Sequence, residues 1–133
     1  MKIKSIAYWI ARLVAAIIMT QTLYFKFTGA EESIYIFTAV GMEPWGRIGV
    51  GVLELIASVL LLITATAWLG ALLGLGLMLG AIMMHLTLLG IQIKGDGGYL
   101  FGLAVAVSIC SLYVLYIDRE KIISLVKKLI TKR

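Results

Sequence analysis

Four long apolar stretches dominate this chain, at about residues 5–27, 45–64, 68–89 and 99–117. A helix that crosses a bilayer needs about 20 predominantly apolar residues, and each stretch is close to that length. The chain is 62% hydrophobic with a mean hydropathy of +1.04, whereas soluble domains are roughly 45–50% apolar. The sequence predicts an all-α integral membrane protein: a four-helix transmembrane bundle that forms a single domain over residues 1–133 and leaves no room for a soluble catalytic domain.

Basic residues mark both ends of the chain. Two precede the first stretch and six lie in the tail, residues 118–133: Lys2, Lys4, Arg119, Lys121, Lys127, Lys128, Lys132 and Arg133. The connecting segments 28–44 and 90–98 carry mixed charge instead. The positive-inside rule therefore predicts that both termini are cytoplasmic, and an even number of spans agrees. The basic residues lack interleaved aromatic residues, so we expect no nucleic-acid partner.

Two shorter helices are expected outside the spans. In the first external segment, Thr28 and Glu31 have the spacing of a capping box, and a short interfacial helix is predicted over residues 33–40, ended by Gly41 and Pro44. The tail alternates isoleucine, valine and leucine with lysine, which predicts a basic amphipathic helix suited to an anionic membrane surface. The alternative for the tail is a solvated extension of the fourth span.

Small residues recur at intervals of four in the last two spans. The pairs are Gly70 with Gly74, Gly76 with Gly80, and Gly98 with Gly102. Such spacing lets helix backbones approach closely in lipid. It leaves open packing within one chain, which we favour, or between chains in a homo-oligomer. Cys110 is the only cysteine, so an internal disulfide is excluded and a dithiol relay is disfavoured.

Ionisable residues within the spans are the candidates for a functional site, because they are costly in a bilayer. Glu54 lies about 12 Å into the second span at 1.5 Å per residue. Arg47, Gly51, Glu54 and Ser58 share one helical face, which we expect to point into the bundle. A salt bridge with only a structural role is the alternative for Glu54.

Three further ionisable residues complete this candidate site. Arg12 and Lys26 are nearly four turns apart and share a face of the first span. Either could be the cation beside Glu54, while Lys26 could instead extend to the interface.

His85 lies on a stripe with Gly74 and Met78 and is expected to face inward near the depth of Glu54. A carboxylate beside an imidazole can relay protons or bind a polar headgroup, although a histidine bonded to backbone is the alternative. With one histidine in the chain, a bis-histidine haem or a metal site is not expected.

With these residues placed, the chain resembles the DoxX family of small bacterial membrane proteins. The resemblance rests on the order of the segments 11–13, 24–30, 41–44 and 51–55 and on the glycine-rich third span. It implies a four-helix bundle in the bacterial inner membrane, an association with redox metabolism, and a polar site at Arg12, Lys26 and Glu54. One relative is described as a subunit of a thiosulfate:quinone oxidoreductase, others partner with detoxifying enzymes, and distant eukaryotic relatives act as assembly chaperones.

The leading functional hypothesis is an accessory subunit of a redox or quinone-linked membrane system, rather than a stand-alone enzyme. Glu54, His85, Lys26, Arg12 and Arg47 are its predicted site residues, for a quinone or lipid-like ligand or for a proton relay. No covalently bound cofactor is expected, and a partner membrane or redox protein would supply electrons. Two alternatives are a membrane assembly factor, in which the buried ion pair is purely structural, and a small proton-coupled transporter.

Overall fold

A computed structural model describes residues 2–132, so Met1 and the tail residue Arg133 lie outside the description. The helices are α1 (Lys2–Thr28), α2 (Glu31–Ala39), α3 (Trp45–Leu62), α4 (Ala67–Met84), α5 (Tyr99–Ile117) and α6 (Arg119–Thr131). A short 3₁₀ turn, Thr64–Thr66, joins α3 to α4, and α4 continues as a π-helical segment, His85–Leu89. The described residues contain no strand, so the all-α prediction is confirmed.

Four of these helices, α1, α3, α4 with its π-helical segment, and α5, are long and apolar enough to cross a membrane. They form a ring in which α1 packs on α3, α3 on α4, α4 on α5, and α5 again on α1. Large apolar side chains such as Ile17, Met83 and Ile109 are exposed on the outside of the ring, as expected for a surface that faces lipid. The four predicted helices are thus confirmed as long and apolar enough to span a membrane, and they begin and end within about three residues of the expected positions.

The interior of the ring is built mainly from small side chains. Its core consists of Ala11, Ala15, Ala16, Met19, Ala57, Leu61, Ala67, Ala71, Met78, Ala104, Val107 and Val114. Gly70 lies at a close approach of α3 and α4: a Cβ there would be 2.7 Å from the carbonyl oxygen of Ala57. Gly70 and Gly74 therefore pack within the chain, whereas Gly76 and Gly80 have no neighbour within 4 Å of a Cβ.

The short helix α2 covers one end of the ring, which we call the α2 end. It contacts α1, α3 and the π-helical segment, and it buries Ser33 and Phe37. The predicted capping box is wrong: the N-cap is Ala30, without a side-chain cap, and the Thr28 hydroxyl instead donates to the carbonyl of Tyr24. Because Thr28 still belongs to α1, its side chain has a helical carbonyl one turn back as a nearer acceptor.

The segment between α4 and α5 also lies at the α2 end. Lys94 donates to Glu31 of α2 at 2.9 Å, and this hydrogen bond lowers the pKa of the exposed Glu31 carboxyl. Asp96 accepts hydrogen bonds from the backbone N–H groups of Ile93, Gly98 and Leu100. Burial raises the pKa of Asp96, but these N–H donors outweigh burial and hold the pKa below its usual value. The Asp96 carboxylate thus orders the entry to α5.

The opposite end of the ring, the tail end, carries both ends of the described chain. The chain turns at Asp118 between α5 and α6, and Tyr8 of α1 donates to Asp118 at 2.6 Å. Helix α6 buries no residue. Its apolar face (Ile122, Ile123, Leu125, Val126, Leu129 and Ile130) alternates with lysines as the sequence predicts. The basic amphipathic helix is confirmed, and the turn at Asp118 separates it from the fourth span.

Candidate functional site

A cavity of about 240 Å³ lies inside the α2 end of the ring. Its walls come from α1, α3, α4 and α5, with apolar residues such as Ile18, Leu77 and Leu103, and α2 lies over it. An apolar cavity of about 150 Å³ is large enough to bind benzene, so this one has room for a substituted single ring. Three of the predicted site residues, Lys26, Glu54 and His85, line the cavity together.

Lys26 and Glu54 form an ion pair across α1 and α3. Lys26 Nζ lies 2.8 Å from Glu54 Oε1, and the side chains are 16% and 2% exposed. The two atoms do not meet the angles of a well-aligned hydrogen bond, so the contact is mainly electrostatic. Gly51, one turn before Glu54, is packed against Phe27, and a Cβ there would lie 2.7 Å from that ring. This close approach of α1 and α3 brings the two charges together.

Thr22 is a third polar residue at this ion pair, and it was not predicted from the sequence. Its hydroxyl lies 3.4 Å from Glu54 Oε2 and 2.9 Å from the carbonyl oxygen of Met19. A hydroxyl has one proton to donate, and the shorter bond is the one to Met19. Oε2 of Glu54 therefore keeps acceptor capacity toward the cavity. Thr22 lies four residues before Lys26, so the shared face of α1 was the available signal.

His85 is the first residue of the π-helical segment and is 5% exposed. Its Nδ1 lies 2.8 Å from the carbonyl oxygen of Ala81, one turn earlier in α4. Its ring contacts Phe101 of α5 edge to face, with centroids 5.6 Å apart. Nε2 is buried and has no hydrogen-bond partner. Since Nδ1 is bound to its own helix, Nε2 is the ring nitrogen left without a partner on a residue that lines the cavity.

Arg12 does not join this cavity, although it was predicted as a site residue. It is fully buried at the tail end, where Nε donates to the carbonyl oxygen of Leu61 at 2.7 Å and Nη1 lies 3.4 Å from the Thr64 hydroxyl. Its guanidinium stacks on the Trp9 ring, 3.8 Å from the centroid. Of the two cations on this face of α1, Lys26 is thus the one that meets Glu54.

Arg47 lies beside the cavity without lining it. Its Nε is 2.9 Å from Oε1 of Glu43, one turn earlier, and Nη1 donates to the carbonyl oxygen of Lys26. Arg47 therefore ties the start of α3 to the end of α1 and supports the backbone that carries Lys26. The predicted shared face of α3 holds for Gly51, Glu54 and Ser58, which are all buried.

The cavity opens where its lining residues are exposed: Gln21 and Phe25 on α1, Glu32 on α2 and Tyr99 on α5. None of these four residues was predicted from the sequence as part of the site. They put the opening between α1 and α5 at the α2 end. A bound molecule could hold a polar ring inside and extend an apolar chain toward lipid. Among residues 2–132, no three His, Cys, Asp or Glu side chains are grouped to hold a metal ion.

The sequence profile of the DoxX family matches residues 7–87, which is more than half of the chain. The chain belongs to the DoxX family. The matched region runs from α1 to the π-helical segment and contains Lys26, Glu54 and His85. Comparisons with curated proteins and with solved structures give no match. As a DoxX protein with four spanning helices, it is a small multi-pass membrane protein in contact with the lipid bilayer.

Proposed function

We propose that this DoxX protein binds a quinone-type amphiphile in its cavity and acts as an accessory subunit of a redox or quinone-linked membrane system. The observation that carries the proposal is the buried Nε2 of His85, which has no hydrogen-bond partner on a residue that lines the cavity. A buried polar atom left unpaired costs roughly 1–3 kcal/mol. A ligand with a hydrogen-bonding ring substituent would remove that cost.

The arrangement of the cavity suits a small ring with polar substituents. The ion pair of Lys26 and Glu54 supplies charged groups in the same cavity as His85, and the remaining wall is largely apolar. Binding sites for small molecules are typically apolar with a few convergent polar groups of this kind. The opening between α1 and α5 would let an isoprenoid tail lie in the bilayer. Electron transfer itself would belong to a partner protein.

A titration of the purified protein with a short-tailed ubiquinone or menaquinone analogue tests this proposal. We expect saturable binding by the wild type and at least about tenfold weaker binding by Lys26→Met, which loses the N–H donors that a quinone carbonyl can accept from. Glu54→Gln should weaken binding as well, because it removes the counter-charge that holds Lys26 at the cavity. Gly76→Ala is the matched control, because Gly76 faces open space away from the cavity. Equal affinity in wild type and Glu54→Gln would remove Glu54 from the site, and no binding by the wild type would overturn the proposal.

A second candidate is an assembly factor whose buried polar groups only specify the bundle. It is favoured by Arg12, whose contacts with Leu61, Thr64 and Trp9 lie within the chain and away from the cavity. Under this alternative, substitutions of Lys26 and Glu54 would lower stability and leave no ligand-dependent signal. Crosslinking in membranes would then identify a defined partner protein.

The cellular setting is part of the same proposal: the bacterial inner membrane, with both termini in the cytoplasm. The tail end carries Lys2, Lys4, Arg119, Lys121, Lys127 and Lys128, whereas the α2 end mixes acidic and basic residues. This asymmetry supports the orientation through the positive-inside rule.

A further inference from the structure

We propose that the ligand of this cavity presents a hydroxyl group as a hydrogen-bond donor, so that a quinol binds in preference to the corresponding quinone. This inference rests on the proposed function, because it concerns the chemical form of the ligand in the same cavity. It follows from the donors and acceptors that Lys26, Glu54 and His85 offer there.

The orientation of His85 decides which of its nitrogens carries the proton. The carbonyl oxygen of Ala81 can only accept a hydrogen bond, so Nδ1, 2.8 Å away, is the donor. In a neutral imidazole, one nitrogen is protonated and the other is an acceptor. Nε2, buried and unpartnered, is therefore an acceptor on a residue that lines the cavity. It can be satisfied only by a group that donates a hydrogen bond to it.

The carboxylate of Glu54 adds a second acceptor. An ionised carboxylate can only accept hydrogen bonds, and Lys26 lies 2.8 Å from Oε1 to balance its charge. The Thr22 hydroxyl is nearer to the carbonyl of Met19 than to Oε2, at 2.9 Å against 3.4 Å. Oε2 thus retains a free lone pair. Of the three groups Lys26, Glu54 and His85, two therefore call for a donor.

Lys26 is the single donor among these three groups. Its ammonium has three N–H groups, so a quinone carbonyl could bind to it. A quinone carries only acceptors, however, and it would leave His85 Nε2 unpaired. A quinol hydroxyl can accept from Lys26 and donate to His85 or Glu54. The quinol therefore satisfies one more buried group than the quinone does.

The same hydroxyl chemistry could come from a lipid alcohol instead of a quinol. A diacylglycerol carries one free hydroxyl on an apolar body and would offer its proton to the same acceptor. The cavity has room for either headgroup, at about 240 Å³. The ligands compared in the experiment must therefore distinguish the effect of the hydroxyl group on binding from the effect of the ring that bears it.

The test compares five ligands on the purified protein under anaerobic conditions: a short-tailed ubiquinol, its quinone, the dimethyl ether of the quinol, a short-chain diacylglycerol, and the methyl ether of that diacylglycerol. We expect the quinol to bind about tenfold more tightly than the quinone or its own ether, the effect of one buried hydrogen bond. His85→Phe should reduce this preference to less than about threefold, while Gly76→Ala should keep it.

Each outcome separates the inference from the proposed function. Equal binding of quinol and quinone by the wild type would overturn the hydroxyl preference and leave quinone binding intact. Binding of the diacylglycerol alone, with its methyl ether weaker, would support the hydroxyl donor and overturn the quinone class. If none of the five ligands binds, both proposals fail. Because the ligand comparison is made on the wild type, it holds even where His85→Phe does not fold.

Discussion

Arg12 is a fully buried cation for which the described residues supply no carboxylate within ion-pair distance. Leu61 lies in the last turn of α3, where backbone carbonyls lack an intrahelical partner. Arg12 Nε donates to that carbonyl, and the guanidinium stacks on Trp9. Its position at the tail end therefore gives Arg12 a structural role, in joining α1 to the end of α3.

Replacement of Arg12 should lower stability without changing ligand affinity. Arg12→Lys removes the planar stacking and the second donor, and Arg12→Gln removes the charge as well. We expect each to lower the free energy of unfolding by about 1.5–3 kcal/mol, the range for hydrogen bonds to charged groups. Unfolding in mixed micelles and a quinone-analogue titration measure the two effects. A loss of affinity in a folded Arg12→Lys protein would contradict this assignment.

Lys26 and Glu54 should be energetically coupled, because removal of either leaves the other buried without its counter-charge. Lys26→Met and Glu54→Gln are each expected to destabilise the protein by about 3 kcal/mol. The double variant should be less destabilised than the sum, with a coupling energy of roughly 1–3 kcal/mol. A double-mutant cycle in mixed micelles measures this coupling.

The control cycle uses Lys94→Met and Glu31→Gln. That pair has nearly the same separation, 2.9 Å, but its side chains are 37% and 86% exposed. Solvent weakens such pairs, so we expect no measurable coupling between them. Similar coupling in both cycles would mean that burial does not strengthen the pair of Lys26 and Glu54.

The choice between Arg12 and Lys26 shows what sequence reasoning could reach at this scale. The 14-residue spacing places both on one face of α1, but it also separates them by about 21 Å along the axis. Only one can therefore meet Glu54. Lys26 is the one that lies near the depth of Glu54 in the ring, toward the α2 end. Thr22 could have been found from the face of α1 that it shares with Lys26, but the sequence could not reveal the unpaired Nε2 of His85, because that depends on the rotation of α4 toward the ring interior.

At the scale of helices, the contact of α3 with α4 depends on Gly70. A methyl group there would meet the backbone of α3, with the carbonyl oxygen of Ala57 and the nitrogen of Leu61 both 2.7 Å away. Backbone atoms cannot move aside as a side chain can. Gly76 lies six residues later in the same helix and has open space around it.

Gly70→Ala should therefore destabilise the bundle by roughly 1–3 kcal/mol, as overpacking does. Gly76→Ala should leave stability within about 1 kcal/mol of the wild type, or raise it, because alanine is the better helix former. Thermal unfolding in detergent compares the two variants directly. The opposite ranking would show that α3 and α4 do not pack closely at Gly70.

Helix positions were easier to predict than their ends. The spans follow from apolar length alone, and α5 begins and ends at the predicted residues, 99 and 117. The start of α2 was predicted at residue 33 and lies two residues earlier, at Glu31. The predicted capping box failed because Thr28 still belongs to α1, whereas Glu31 is the first residue of α2. The π-helical segment at His85 has no signal in the apolar periodicity.

The whole molecule divides into two ends with different properties. The α2 end holds the cavity under a short helix, and the tail end holds Arg12, the bond between Tyr8 and Asp118, and the exposed basic helix α6. Under the proposed function the first end admits a ligand from the bilayer, while the second is closed by polar contacts. Apolar length and charge pattern predicted the bundle, but the cavity depends on how four helices pack together.

The orientation of these two ends in the membrane is the remaining prediction. The positive-inside rule places the basic tail end in the cytoplasm and α2 outside.

Because Cys110 is the only cysteine, Cys110→Ser provides a background for single-cysteine labelling. Thr38→Cys in α2 and Ser124→Cys in α6 replace exposed residues at opposite ends. With a membrane-impermeant maleimide, we expect labelling at residue 38 in intact spheroplasts and at residue 124 only after lysis, while the background variant stays unlabelled. Labelling of residue 124 before lysis would invert the orientation and place the cavity opening on the cytoplasmic side.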